Sequence, residues 1–157
     1  MLQSGSINLK TGASGSKAGG INLLTGDGAK QSGGILLKTG NSIGGGGNVV
    51  LSAGYSQGVG GEVAIHAGSS YSSGNGGLVS LVAGQGSVGG KFSAKGGSSL
   101  KTGGSIEIHS GSSSSGASGR LKVGTGSGHA SGQVLLSSGD AEITSGDIIS
   151  KTGDSSH

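Results

Sequence analysis

A short phrase that recurs along the whole chain constrains its structure more than any other feature of the sequence. The phrase consists of an apolar residue, any residue, an apolar residue, any residue, a small residue and Gly, as in Ile21-Asn22-Leu23-Leu24-Thr25-Gly26. It occurs eleven times, at a mean spacing of about 14 residues. Self-similarity at a fixed short period is the sequence signature of a repeat architecture. The copies begin at Ile7, Ile21, Ile35, Val49, Val63, Val79, Phe92, Ile106, Leu121, Val134 and Ile148.

The alternation of apolar residues within each phrase predicts a short β-strand, because successive side chains of a strand point to opposite faces. One such strand cannot bury its apolar face alone, whereas copies that stack in register can. We therefore predict an all-β fold, a parallel β-solenoid (β-helix) of about eleven 14-residue coils with two flat sheets. The solenoid would form a single domain over residues 1–157, of either handedness.

The side chains at the first and third positions of the phrase are expected to point into this solenoid. Each is expected to stack on the side chain at the same position of the neighbouring coil. The predicted structural ladder consists of Ile7, Leu9, Ile21, Leu23, Ile35, Leu37, Val49, Leu51, Val63, Ile65, Val79, Leu81, Ile106, Ile108, Leu121, Val123, Val134 and Leu136. The aliphatic ladder is interrupted at Phe92 and Ala94, where the spacing of the phrases also becomes irregular.

Because of the composition of the chain, the recurring phrase decides whether the sequence indicates a folded repeat or a disordered linker. Gly accounts for 40 of the 157 residues and Ser for 32, while only 30% are hydrophobic and Pro and Cys are absent. The same composition without a period would indicate a disordered linker. Because ordering so much Gly is entropically costly and the ladder is small, we expect stacking on other copies of the chain to contribute to stability.

Phrases such as the one in the segment 60–68, Gly-Gly-Glu-Val-Ala-Ile-His-Ala-Gly, resemble the repeats of Gly/Ser-rich parallel β-solenoid proteins. Such repeats occur in adhesins, in fibre and appendage proteins, and in ice-binding solenoids. The resemblance implies the solenoid architecture over essentially the whole chain but no particular activity.

Catalysis, cofactors and metals are not expected. The seven acidic residues are scattered, Cys is absent, and the serines lack a base partner at a recognisable spacing. His66 and His109 would lie three coils apart, too far to share a metal ion. Nucleic-acid binding is not expected either, since Tyr55, Tyr71 and Phe92 are the only aromatic residues and the net charge is only +3.

No signal peptide is recognisable at the start of the chain, and no apolar run is long enough to span a membrane. These two features do not specify where the protein is located. A position outside the cell or on the surface of a particle is favoured by the resemblance.

The sequence favours a non-catalytic structural protein that assembles end to end, or laterally, with copies of itself into a fibre, filament or surface layer. The first alternative is ice binding through a flat Ser/Gly/Thr/Ala face, to which Thr11, Thr25 and Thr39 contribute a short rank. A weaker alternative is adhesion to a glycan or another anionic surface. Its candidate binding residues are the lysines at the fourth phrase position, Lys10, Lys38, Lys95 and Lys151.

Overall fold

The computed structural model of the chain describes residues 4–71 and 74–155, and these residues form no helix and no β-strand. The predicted all-β fold, a parallel β-solenoid of eleven coils with two flat sheets, is therefore wrong. The same finding overturns the resemblance to Gly/Ser-rich parallel β-solenoid proteins, because that resemblance implied stacked strands.

The period of the sequence is nevertheless present in the structure, as a regular series of backbone bends. Every interval between two successive phrases contains a bend, and no phrase contains one within the described residues. The bends lie at residues 15–16, 29–30, 43–44, 57–59, 71 and 74, 86–88, 100–101, 114–116, 128–130 and 142–143. The chain thus alternates between unbent phrases and bent loops.

Serine side chains stabilise several of these bends. At the bend near residue 58, the Gly58 N–H donates a hydrogen bond of 3.0 Å to the Ser56 hydroxyl oxygen. This is a local side-chain to backbone bond of the kind that favours turns over regular structure. The same arrangement, with an N–H two residues after the serine as the donor, occurs at Ser14, Ser42, Ser99 and Ser113.

Loops also close at their bases through backbone hydrogen bonds. The Gly61 N–H donates to the carbonyl oxygen of Gly54 at 3.1 Å, which joins the last residue of one phrase to the glycine two residues before the next. Compact loops whose ends lie close together are known as Ω-loops. Four further loops close at equivalent glycines, by bonds from Gly77 to Gly68, Gly90 to Gly84, Gly104 to Gly97 and Gly119 to Gly111.

This closure explains why the solenoid prediction is wrong. In a parallel solenoid, the start of each phrase lies about 4.8 Å from the start of the next phrase, and the backbones of the two pair along their length. In five loops of the structure, the last residue of one phrase instead bonds to the glycine two residues before the next phrase. Among the described residues, the backbone hydrogen bonds form at the bases of loops and not between phrases.

The chain divides into two units, Met1–Leu81 and Val82–His157. The first unit contains the loop closures at Gly61 and Gly77, and the second contains those at Gly90, Gly104 and Gly119. In neither unit is any described residue buried. The described residues of neither unit form a core. The single domain over 1–157 stays a prediction.

The solvent-accessible surface area of the chain is large for its mass. The accessible surface is 16425 Å². A compact chain of this mass exposes about 7,000 Å². The apolar residues predicted to form the interior of a solenoid therefore remain in contact with solvent.

Candidate functional site

Several repeats share a close contact at the base of the loop, between a glycine and the preceding phrase. A Gly stands two residues before all eleven phrases. A Cβ added at Gly47 would lie 3.1 Å from the Thr39 Cβ, and one at Gly61 would lie 3.1 Å from both the Ala53 Cβ and the Gly54 nitrogen. These distances are shorter than most real Cβ contacts, so the close approach itself requires glycine.

The fifth phrase position, which faces these glycines, is the best covered position of the chain. It holds only small residues, namely Thr11, Thr25, Thr39, Ala53, Ala67, Ala83, Gly96, Ser110, Thr125, Ser138 and Thr152. All the described residues that are half-buried rather than exposed lie at this position; they are Thr11, Thr39, Ala83 and Gly96.

Two threonines of the short rank add a hydrogen bond to this contact. The Thr25 hydroxyl donates to the Gly33 carbonyl oxygen at 3.2 Å, and the Thr39 hydroxyl donates to the Gly47 carbonyl oxygen at 3.4 Å. The hydroxyl protons are therefore directed at the chain's own backbone. Where the fifth position is Ala, the equivalent loops close by a backbone bond instead, as at Gly61 and Gly77.

The phrase separates charge from apolar surface. We define the neutral face as the glycine two residues before each phrase together with the first, third and fifth phrase positions. None of the ten Lys and Arg residues, none of the seven Asp and Glu residues and none of the four His residues occupies one of these positions. All of them lie at the intervening phrase positions or in the loops.

Exposure follows the same alternation. From Ile21 onward, large side chains at the first phrase position are 46–62% exposed, and those at the third position from Leu9 onward are 61–76% exposed. Large apolar side chains at the intervening positions are 75–87% exposed, and those in the loops are 88–108% exposed. The neutral face is thus the side that each phrase partly shelters, although none of its large side chains is buried among the described residues.

The predicted ladder residues all lie on this neutral face, but the structure does not stack them into an interior. Ile7 is 96% exposed, which sets the first phrase apart from the others. The role of the ladder as a structural element stays a prediction.

The glycine that ends each phrase behaves differently from the glycine before it. The sixth phrase position is Gly in all eleven phrases. A Cβ added at Gly54, Gly68 or Gly97 would meet nothing within 4 Å. No described glycine has a positive φ. Neither local crowding nor backbone conformation within the single chain therefore requires glycine at the sixth position.

The four lysines proposed for surface binding are all exposed. Lys10 and Lys38 belong to the first unit and Lys95 and Lys151 to the second. Each stands at the fourth position of its own phrase, which is not one of the positions of the neutral face. Their role in binding an anionic surface stays a prediction.

Within residues 4–71 and 74–155, no pocket is present. Across the same described ranges, no three His, Cys, Asp or Glu residues form a group that could hold a metal ion. A search of the described residues also finds no helix long and apolar enough to cross a membrane.

Comparisons with known proteins give no relative. No family model matches the chain, and no curated protein and no solved structure matches it.

Sequence reasoning missed one element of this arrangement, although it has a signal in the sequence. The glycine before every phrase is present in all eleven copies and marks the base of the loop. The apolar side of each phrase was recognised from the sequence, because the first and third positions of the neutral face are those of the predicted ladder. The pairing of particular glycines across each loop has no such signal, because the backbone groups that form it are common to all residues.

Proposed function

We propose that this chain is a non-catalytic structural repeat protein that assembles with copies of itself into a fibre, filament or surface layer. One observation carries the proposal: the chain exposes 16425 Å² and buries none of its described residues. That area is more than twice the value of about 7,000 Å² for a compact chain of the same mass. Large exposed apolar surfaces on a soluble chain are typical of interaction sites.

The repetition of one arrangement along the chain also supports a structural role. The same loop closure recurs with equivalent glycines in both units. A repeated contact distributes a weak interaction over the length of the chain, as in other repeat proteins. Stacking of solenoid ends is not part of the proposal, because the described residues form no solenoid.

The two alternatives from the sequence have no structural observation in their favour. The ice-binding hypothesis relied on a flat Ser/Gly/Thr/Ala face, but the hydroxyls of two of its residues, Thr25 and Thr39, donate to carbonyl oxygens of the chain itself. The adhesion hypothesis relied on a row of Lys, and these residues are exposed without any further feature around them. Both alternatives enter the experiment below as separate outcomes.

Light scattering and electron microscopy of the purified chain over a wide concentration range test the proposal. The control is a shuffled chain of identical composition in which the period is destroyed. The proposal predicts regular assemblies above a threshold concentration for the natural sequence and none for the shuffled one. A natural chain that stays monomeric throughout, or a shuffled chain that assembles equally well, would overturn it.

If the natural chain stays monomeric, two further assays on the same sample distinguish the two alternatives. Shaping of ice crystals would favour the ice-binding alternative. Retention on an anionic glycan surface, lost when the four lysines are replaced by Gln, would favour adhesion.

A further inference from the structure

We infer that copies of this chain meet through the neutral face, and that the occupant of this face is a second copy of the same chain. This inference rests on the proposed self-assembly and specifies the surface that performs it. The neutral face carries the apolar first and third phrase positions and the small fifth position of every repeat.

The distribution of charge makes this face the one that a partner can cover without removing a charge from water. All seventeen charged side chains lie off the neutral face, although they are spread along the whole chain. Removing an unpaired charge from water is strongly unfavourable, so a surface that is covered by a partner must exclude charge or pair it. The neutral face meets this condition in all eleven repeats, whereas the intervening positions carry Lys10, Glu107 and Lys122 among others.

The size of the exposed surface is sufficient for such an interface. Relative to a compact chain of the same mass, this chain exposes an excess of about 9,000 Å². A stable protein interface covers about 800 Å² on each partner. The excess exposed surface of the chain is therefore about ten times the area that a stable interface needs on one partner.

A second copy fits this face better than an unrelated partner does. The neutral positions recur eleven times at a spacing of about 14 residues, and another copy presents the same positions at the same spacing. Each copy carries a net charge of +3, so copies repel one another when their charged sides approach. Contact through the neutral faces leaves these charges in water.

Paired charge insertions test the inference. The variant Ile65→Asp with Leu81→Asp places two carboxylates on the neutral face, at third phrase positions that are 61% and 65% exposed. The matched control, Ala64→Asp with Ser80→Asp, places the same two charges at the adjacent second positions of the same phrases. We expect the threshold concentration for assembly to rise at least tenfold for the first variant and less than twofold for the control.

Protection of a single thiol provides a second measurement that does not depend on the effect of charge. The chain contains no Cys, so Ile65→Cys and Ala64→Cys each introduce one unique thiol. In the assembled state, maleimide labelling of the Cys at position 65 should be at least tenfold slower than in the dilute chain. Labelling of the Cys at position 64 should change little.

The outcomes separate this inference from the proposed function. Equal thresholds for the two charge variants, or equal labelling of the two thiols in an assembled sample, overturn the neutral face as the interface and leave self-assembly standing. A chain that never assembles overturns both. A shifted threshold together with a selectively protected thiol at position 65 supports the neutral face.

Discussion

At the scale of single residues, several close backbone contacts of the structure form at glycines, which have no side chain. The glycines before several phrases, namely Gly61, Gly77, Gly90 and Gly104, let the backbone of the preceding phrase approach, whereas the glycine at the end of each phrase faces open space. Gly104 and Gly97 illustrate the difference within one loop. A Cβ at Gly104 would lie 2.9 Å from the Gly97 nitrogen, while a Cβ at Gly97 would meet nothing within 4 Å.

We therefore predict that Gly104→Ala opens this loop and that Gly97→Ala does not. The added methyl group collides with backbone atoms, which cannot move aside as the end of a side chain can. The bond from the residue 104 N–H to the Gly97 carbonyl oxygen, 2.9 Å long, would be lost. A backbone hydrogen bond contributes about 1 kcal/mol, so the amide of residue 104 should exchange on the order of fivefold faster. Hydrogen exchange followed by NMR measures this, and equal exchange in the two variants would contradict the prediction.

At the scale of structural elements, the unit of this chain is a bent loop between two unbent phrases. The loop is shaped by serine hydroxyls at the bend and by glycines at the base. The Ser113 hydroxyl oxygen accepts hydrogen bonds from the N–H groups of Ser115, at 3.4 Å, and Gly116, at 2.9 Å. It is thus the acceptor for two donors at the bend 114–116.

Replacing this serine should loosen the bend without affecting the base of the loop. In Ser113→Ala, the Gly116 amide loses its acceptor and should show the stronger temperature dependence of a solvent-bonded amide by NMR. The bond between Gly119 and Gly111 should be retained, because it lies at the base. Ser112→Ala removes a neighbouring hydroxyl for which no such bond is present and serves as the control. An unchanged Gly116 amide in Ser113→Ala would show that the hydroxyl does not shape the bend.

The sequence predicts the period of these elements but not how they pair. The recurring phrase correctly places one loop between each two phrases, because apolar alternation and Gly/Ser-rich segments are local signals. Strand pairing between phrases is a non-local property. Whether the approach to Val63 lies beside Gly54 or beside the approach to Val49 depends on backbone bonds that side chains do not encode. The solenoid prediction supplied this pairing by assuming that the phrases are strands that stack in register, and the closure of the loop from Gly54 to Gly61 replaces it.

At the scale of the whole molecule, a chain with this composition does not cover its apolar surface by itself. It has 30% hydrophobic and 11% charged residues, and the charged ones lie away from the neutral face. Burial of a Val, Leu or Ile side chain contributes about 1.5–3 kcal/mol. The half-exposed side chains of the neutral face therefore retain a substantial part of this free energy for association with another copy.

Association of this kind should respond to temperature and to the type of salt. Hydrophobic association weakens on cooling, and sulfate strengthens it more than chloride does. We expect the threshold concentration to rise on cooling and to be lower in sodium sulfate than in sodium chloride of equal ionic strength. Light scattering measures both effects. If the two salts act identically, screening of the +3 charge is the dominant factor and the neutral face is not.

The central claim is that the phrases become covered only when copies of the chain associate. Hydrogen–deuterium exchange of a dilute and an assembled sample tests this claim most directly, because it separates phrase amides from loop amides in one experiment. We predict that amides within phrases, such as those of Val63 and Ile65, exchange rapidly in the dilute chain and at least tenfold more slowly in the assembly. Slow exchange of the phrase amides in the dilute monomer would contradict the claim, because it would show that a single chain protects its phrases without a partner.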